Sequence, residues 1–318
     1  MKQDGLIHQS FVVRPATLAD LRDVLSIRQA QELADSATVC TTADQLAGEW
    51  EALGNHLAEQ VWVAVATGGS LHAYAELIQV DRMFNLRLWA PPDHCDAGID
   101  LALLAKAEER ACVIGREEGA DNVTLLAQAT SSYSEARETL MQSGYTLLST
   151  YEKVELALNE IPASPEDIPG IEIRSFAEGQ DAEPIYRADE EAFVDQRGHT
   201  LRTFKQWKQR LKFDEETFDP SVWLIAYDRV DIAGAALGEI VQGIGWIHHL
   251  FVRRPWRRRG LGAALMLSIL RAFHGQGVGA ARLNVGAQSL TNAHQLYRRL
   301  GFRVTGTYSN FEKIVPLA

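Results

Sequence analysis

The sequence has too few cysteines for a disulfide framework and no ligand pattern for a metal. Its 318 residues contain three cysteines, Cys40, Cys95 and Cys112, without a C-x-x-C pair or a histidine at metal-binding spacing. Structural zinc sites need four closely spaced ligands, and disulfide-rich domains need many more cysteines. We therefore predict buried, reduced thiols and no metal site.

Long hydrophobic runs are also missing. No stretch of about 18 apolar residues could span a bilayer, and the amino-terminal MKQDGLIHQSF lacks the basic and apolar regions of a signal peptide. These absences predict a cytoplasmic protein without a membrane partner. With 46% hydrophobic residues, the chain can bury a full core and has the length of about two ordinary domains.

Acidic residues are absent from one long segment of an otherwise acidic protein. The net charge is −11, yet no Asp or Glu occurs between Glu239 and Glu312. This interval contains ten arginines: Arg253, Arg254, Arg257, Arg258, Arg259, Arg271, Arg282, Arg298, Arg299 and Arg303. Charge of one sign concentrated in this way attracts an anion. Trp256 is the only aromatic among the clustered arginines, so we expect no nucleic-acid partner.

The two halves of the chain repeat each other at a period of about 160 residues. A strand followed by an amphipathic helix begins at Phe11 and at Ile171, and a hairpin pattern begins at Val61 and at Val222. The intervening LNEIPASPEDIPGIE contains three prolines, which disfavour helix. We predict two homologous α/β domains, residues 1–158 and residues 171–318.

In the second half, a strand, a turn and a helix follow one another. The strand ends in LFV, the turn is RRPWRRRGLG, and the helix is strongly apolar. Unpaired amides at the positive end of a helix dipole bind phosphate groups. Neither a Walker A loop nor a dinucleotide fingerprint has this spacing, so the pattern predicts a pyrophosphate site of another kind.

The spacing Arg257-x-x-Gly260-x-Gly262 resembles the acetyl-CoA loop of the GNAT superfamily of N-acetyltransferases. The later Asn292, Tyr297 and Gly301-Phe302 match the family's closing pattern. The resemblance implies two GNAT-like domains, each a mixed, mostly antiparallel sheet flanked by helices, with acetyl-CoA as co-substrate and no metal. The implied cofactor-binding residues are Leu250, Phe251, Val252, Arg257, Arg258, Arg259, Gly260, Leu261, Gly262, Ala263 and Asn292. A helix cap is the alternative role for Asn292.

Three side chains are candidates for the chemistry. Tyr297 resembles the family's general acid, which protonates the departing CoA thiolate; a tyrosine of the core is the alternative. The general base is either His248 or Glu239, since His248 occupies a position where relatives carry histidine or glutamate. Strict alternation predicts that His248 shares a face with Leu250 and that His249 points to the opposite side.

The first half lacks these features. Aligned on Gly98, Cys95 replaces Arg257 and Asp100 replaces Gly262, while Leu140 stands at the tyrosine position. Only the second half is therefore expected to bind acetyl-CoA, and the first is a degenerate copy. One working copy in a tandem chain is similar to the organisation of mycothiol synthases, which acetylate a cysteinyl aminoglycoside.

The predicted function is direct acetyl transfer from acetyl-CoA to a primary amine. The acceptor is a small molecule or the terminal or side-chain amine of a peptide, and the protein is a monomer or homodimer. The second half contains no cysteine that could carry the acyl group. The alternative is a non-catalytic acyl-CoA-binding regulatory or interaction module.

Overall fold

The computed structural model describes residues 11–36, 39, 41–80, 83–91, 96–194, 201–214, 218–287 and 293–317. They form two compact units, one of residues 1–151 with 306–318 and the other of residues 152–305. No described helix is long and apolar enough to cross a bilayer. Cys112 is a half-buried free thiol, whereas Cys40 and Cys95 lie outside the described residues.

Twelve strands and nine α-helices are described. The strands are β1 (Phe11–Pro15), β2 (Val61–Ala66), β3 (Leu71–Val80), β4 (Met83–Trp89), β5 (Asn122–Thr130), β6 (Thr146–Ala157), β7 (Ile171–Ser175), β8 (Trp223–Asp228), β9 (Asp231–Val241), β10 (Ile244–Val252), β11 (Ala280–Gly286) and β12 (Arg303–Pro316). The helices are α1 (Leu21–Ser36), α2 (Ala43–Leu53), α3 (Leu57–Gln60), α4 (Ala97–Glu117), α5 (Ser134–Gln142), α6 (Ala182–Phe193), α7 (Phe204–Arg210), α8 (Leu261–Gly275) and α9 (Ala293–Arg299).

The first unit contains a mixed, mostly antiparallel sheet in the order β1-β2-β3-β4-β5-β12. Neighbouring strands are antiparallel except for β4 and β5, which are parallel and are connected through α4. The apolar side of α4 packs on the sheet through Leu103, Leu104 and Ala107, all fully buried. The strand order matches the predicted fold class.

The second unit repeats this arrangement in the order β6-β11-β10-β9-β8-β7. Its parallel pair is β10 and β11, connected through α8. Helix α8 lies close to the sheet because Gly238 and Gly245 have no side chains; a Cβ on either would approach the ring of Phe273 to within 2.8 Å. Helix α6 packs on the same strands with Ile185 and Ala188 buried. The predicted α/β class with mixed sheets is confirmed.

The compact units do not divide the chain at the predicted bounds. The predicted halves, residues 1–158 and 171–318, follow the order of the repeat along the sequence. In the structure, residues 306–318 belong to the first unit, where β12 pairs with β5, and residues 152–157 of β6 belong to the second. A repeat shows which segments are alike, but strand pairing decides which of them share a core.

Candidate active site

The strands β10 and β11 leave one backbone edge of β10 without a strand partner. Their pairing runs from Ile244 opposite Ala280 to Ile247 opposite Leu283, and no further pair follows among the described residues of either strand. On its other edge, β10 pairs with β9 as far as Val252. The backbone groups of residues 248–251 that point to the open edge are thus available to an extended ligand, because unpaired strand edges bind extended partners. The carbonyl of Val252 is already occupied by Arg257.

The turn after β10 places the N-terminus of α8 beside this edge. Arg258 has φ +65° and Gly260 has φ +84°, so two left-handed residues turn the chain into α8. The carbonyl of Gly260 accepts hydrogen bonds from the amides of Ala263 and Ala264. The amides of Leu261 and Gly262 lie in the first helical turn, where no intrahelical acceptor exists.

These residues fit a pyrophosphate. A Cβ on Gly262 would meet only the side chains of Leu296 and Val252, at 3.7 and 3.8 Å, which is ordinary contact. The packing of the protein therefore leaves space at Gly262. This space lies beside the amides of Leu261 and Gly262. Two exposed arginines, Arg258 and Arg259, precede it. Amides and guanidinium groups are the donors that phosphate oxygens prefer.

Arg257 has a structural role that the motif does not indicate. Its Nε donates to the carbonyl of Val252 at 2.9 Å, and a terminal guanidinium nitrogen donates to the carbonyl of Ala192 at 3.3 Å. The side chain therefore connects the turn to the end of β10 and to α6. Of the predicted phosphate-binding arginines, Arg258 and Arg259 have the more exposed side chains.

The arginine segment is partly neutralised by acids from elsewhere in the unit. Arg253 forms an ion pair with Glu191 at 2.6 Å, and Arg282 forms one with Glu155 at 2.5 Å. Both pairs join segments far apart in sequence, so the absence of acids within the segment does not mean that all of its charge is free. Arg258 and Arg259, the clustered arginines nearest α8, have exposed side chains.

A β-bulge in β10 overturns the predicted arrangement of the histidines. The register with β9 shifts between Ile247, which pairs with Gly238, and His249, which pairs with Leu237. His248 is the extra residue. Gly238 faces α8, so Ile247 faces α8 and His249 faces the opposite side, where it contacts Asp189 of α6.

His248 lies on the same side as His249. It hydrogen-bonds to Glu239, the neighbour of Gly238 and therefore on the face away from α8. Leu250 follows His249 and turns back towards α8. The prediction that His248 shares a face with Leu250 and opposes His249 was wrong, because a bulge adds one residue and breaks the period of two.

The two candidate bases are partners of each other. The Nε2 atom of His248 lies 3.0 Å from one carboxylate oxygen of Glu239, and the ammonium of Lys212 donates to the other at 2.9 Å. The hydrogen bond with His248 and the contact with Lys212 outweigh desolvation and lower the pKa of Glu239 to about 2. Glu239 is thus a carboxylate at neutral pH, and it borders a small cavity together with Lys212, Phe218 and Asp219.

His249 belongs to a buried network. One oxygen of Asp189 accepts from Nδ1 of His249 and from the indole of Trp207, both at 2.7 Å. Asp189 and Trp207 are fully buried, so α6, α7 and β10 are held together by a single carboxylate. No sequence motif marks Asp189, Trp207 or Lys212, because each acts through a tertiary contact.

Tyr297 lies on α9 and is buried, with 8% of its surface exposed. Its ring packs edge-on against Phe302 at 5.8 Å, and burial raises its pKa to about 12. The phenol is therefore a weaker acid than the ordinary side chain on which the prediction was based. Asn292 lies outside the described residues.

The equivalent position in the first unit is occupied by a carboxyl group. Asp100, which aligns with Gly262, is 1% exposed and accepts a hydrogen bond of 2.5 Å from the hydroxyl of Tyr133. Burial raises the pKa of Asp100 to about 6, against the opposing effect of this hydrogen bond. Asp96 accepts from the amide of Gly98 and so caps the helix that would otherwise offer amides to a phosphate.

Comparisons with known proteins agree with this geometry. Residues 186–316 match the model of the acetyltransferase (GNAT) domain. The chain is 30% identical to a GCN5-related N-acetyltransferase from Sphaerobacter thermophilus of known crystal structure, with 96% of both chains covered and a TM-score of 0.80. The chain belongs to the GCN5-related N-acetyltransferase (GNAT) family. The prediction of a GNAT acetyltransferase enzyme is confirmed.

Other relatives match the GNAT chain over most of its length. Two proteins named mycothiol acetyltransferase, from Amycolatopsis mediterranei (strain U-32) and Mycolicibacterium vanbaalenii, are 26% and 25% identical. The matches cover 89% and 91% of this chain and 91% and 95% of the relatives. A tandem GNAT protein from the clavulanic acid biosynthesis pathway shares the fold, at 15% identity and a TM-score of 0.64 over 96% of this chain and 98% of its own.

Proposed function

We propose that this GNAT protein transfers the acetyl group of acetyl-CoA directly to a primary amine, in the unit of residues 152–305. The observation that carries the proposal is the open edge of residues 248–251, next to the free amides at the start of α8. The backbone edge matches an extended pantetheine arm, and the helix N-terminus matches a pyrophosphate. GNAT enzymes use acetyl-CoA, which contains both parts.

The side chains support a general base on β10. An amine is mostly protonated at neutral pH and must lose a proton before it attacks the thioester. The imidazole of His248 accepts that proton, and the carboxylate of Glu239 stabilises the resulting positive charge at 3.0 Å. Glu239 itself is a weak base, because its pKa is about 2.

Tyr297 supplies the acid. As the amine nitrogen bonds to the carbonyl carbon, the carbon–sulfur bond breaks and the phenol donates its proton to the thiolate. The products are an amide and CoA, and no enzyme atom is acylated. A pKa of about 12 keeps Tyr297 protonated at neutral pH. Burial also raises the pKa of a thiol released beside Tyr297, because desolvation disfavours the thiolate as well as the phenolate.

A small-molecule amine is the acceptor that we propose. Glu239 and Asp219 both border the cavity as anions. Although burial opposes the ionisation of Asp219, hydrogen bonds from Gln276 and Ser221 lower its pKa. These two carboxylates outnumber Lys212, the one cation among the described residues that line the cavity, and the remaining negative charge attracts a cationic amine. The relatives named mycothiol acetyltransferase make a cysteinyl aminoglycoside the first acceptor to test.

The test has two steps. Calorimetry with acetyl-CoA should give one site per chain, and mass spectrometry should detect an acetylated product from a panel of amines that includes a cysteinyl aminoglycoside. Two equivalent acetyl-CoA sites would contradict the assignment to one unit. Tight binding without product across the panel would favour the non-catalytic binding module instead.

A further inference from the structure

We propose that Lys212 is a positioning residue that sets the protonation of the Glu239–His248 pair. The inference rests on the proposed function of that pair as the base. No motif includes Lys212, which follows α7 by two residues and lies on the surface with about half of its side chain exposed. Its ammonium nevertheless reaches β9 and binds the carboxylate oxygen of Glu239 that His248 does not use.

The backbone at Lys212 is strained. Its φ is +52°, in the left-handed region, and it occupies the position after the helix end where glycine is usual. The amide of Phe213 donates to the carbonyl of Lys208 and that of Lys212 to Gln209, as in a Schellman motif. Left-handed backbone is unfavourable for a residue with a side chain, and such outliers occur where another requirement overrides local preference. At this turn the ammonium of Lys212 contacts Glu239.

The charge of Lys212 acts on His248 through the shared carboxylate. With Lys212 present, Glu239 is already paired with a cation, and the imidazolium form of His248 meets a second positive charge nearby. Without Lys212, the whole carboxylate would stabilise the imidazolium. Lys212 thus favours the neutral imidazole, which is the form that accepts a proton from the acceptor amine.

Within the part of the chain that the structure describes, the other charged groups near the pair have partners of their own. Asp219 borders the cavity and bonds to Gln276 and Ser221, and His249 bonds to Asp189. Arg282 of β11 lies near the ring of Trp246 and pairs with Glu155. Lys208 and Asp214 pair with each other on the segment that carries Lys212. Among the described lysines and arginines, Lys212 is the one that contacts Glu239 directly.

The experiment compares Lys212→Gly, Lys212→Met and Lys212→Arg with Lys208→Met as the matched control. For Lys212→Gly and Lys212→Met, the acid limb of the kcat/KM profile should move upwards by about 0.5–1 pH unit, as for two like charges near a protein surface. Lys212→Arg should restore the parent profile, and Lys208→Met should leave it unchanged. Lys212→Gly should also unfold at a Tm no lower than the parent, since it relieves the left-handed strain.

A titration without substrate separates this inference from the proposed function. Histidine NMR of the full chain follows the ring of His248 among nine histidines, identified with a His248→Gln variant. The midpoint should rise in Lys212→Met. An unchanged or lowered midpoint in both Lys212→Gly and Lys212→Met would overturn the role of Lys212, whatever the activity. A raised midpoint in a protein that acetylates nothing would uphold that role and overturn the proposed function.

Discussion

The hydroxyl of Tyr297 is a weaker acid in the folded protein than the free side chain, because the residue is buried in the core of the second unit. A buried tyrosine can act as a catalytic acid or only pack in the core. The ring contact with Phe302 is compatible with both roles, whereas only the catalytic role requires the hydroxyl.

Tyr297→Phe should lower kcat by about 10²- to 10⁴-fold, the usual contribution of general acid catalysis, and should leave acetyl-CoA affinity intact because the ring stays. Steady-state kinetics and calorimetry measure the two effects. Tyr227→Phe is the matched control, since its hydroxyl bonds to Asp181 and not to the site. An unchanged kcat in Tyr297→Phe would assign that tyrosine to the core.

Asp100 links the stability of the first unit to pH. Its folded pKa of about 6 lies above the ordinary value of 3.8, so the protonated form favours the folded state. That contribution is complete below pH 4 and is lost as the pH rises through 6. Asp100→Asn should equal the parent near pH 4 and exceed it by roughly 2–3 kcal/mol at pH 7 to 8. Denaturant unfolding at both pH values tests this, and a difference independent of pH would contradict it.

Single residues could be proposed from the sequence where a motif indicates them. Tyr297, Glu239 and His248 could be proposed from the sequence, although only the structure shows that Glu239 and His248 share a hydrogen bond. Lys212 could not be proposed, because its contact depends on a left-handed backbone that lysine rarely adopts.

Among the elements, the start of α8 gives the sharpest test of the phosphate site. Gly262→Asp introduces the residue of the first unit at a helix N-terminus that tolerates acids. The Cβ would make only ordinary contacts, so Tm without ligand should hold. The carboxylate should abolish the increase in Tm on addition of acetyl-CoA.

Gly262→Ala is the control for this substitution. It adds the same Cβ without a charge and should reduce the ligand-induced shift less than Gly262→Asp does. A parental shift in the Asp variant would place the phosphate elsewhere.

The hairpins and the glycine-terminated helices were predictable as elements, because alternation and left-handed glycines are local. Gly144 and Gly301 indeed have φ of +87° and +93°. The bulge in β10 was not predictable, because its extra residue is defined by the pairing with β9 and the alternation of burial continues through it.

For the whole molecule, the repeat predicted two similar halves but not the exchange of their last strands. Each predicted half has a strand of the right pattern at its end. The sequence pattern of such a strand does not specify which sheet it joins. In the structure, β12 pairs with β5 of the first unit over nine residue pairs.

The exchange predicts how fragments behave. A fragment of residues 171–318 lacks the strand beside β11 and keeps β12, whose partner is β5, so it should not unfold cooperatively. A fragment of residues 152–305 contains one complete compact unit and should unfold cooperatively and bind acetyl-CoA. Circular dichroism melts and calorimetry measure both properties. Cooperative folding of the fragment 171–318 alone would support the bounds drawn from the repeat.

The bulge at His248 also has a consequence for insertions and deletions. Removing a residue from a regular strand turns every side chain beyond it to the other face. Removing His248 would instead leave Ile247 and His249 in regular succession, each still opposite its present partner on β9. The residue that we propose as the base is thus supernumerary to the pairing of its strand, so a natural length variant lacking it could keep the fold and lose only the chemistry.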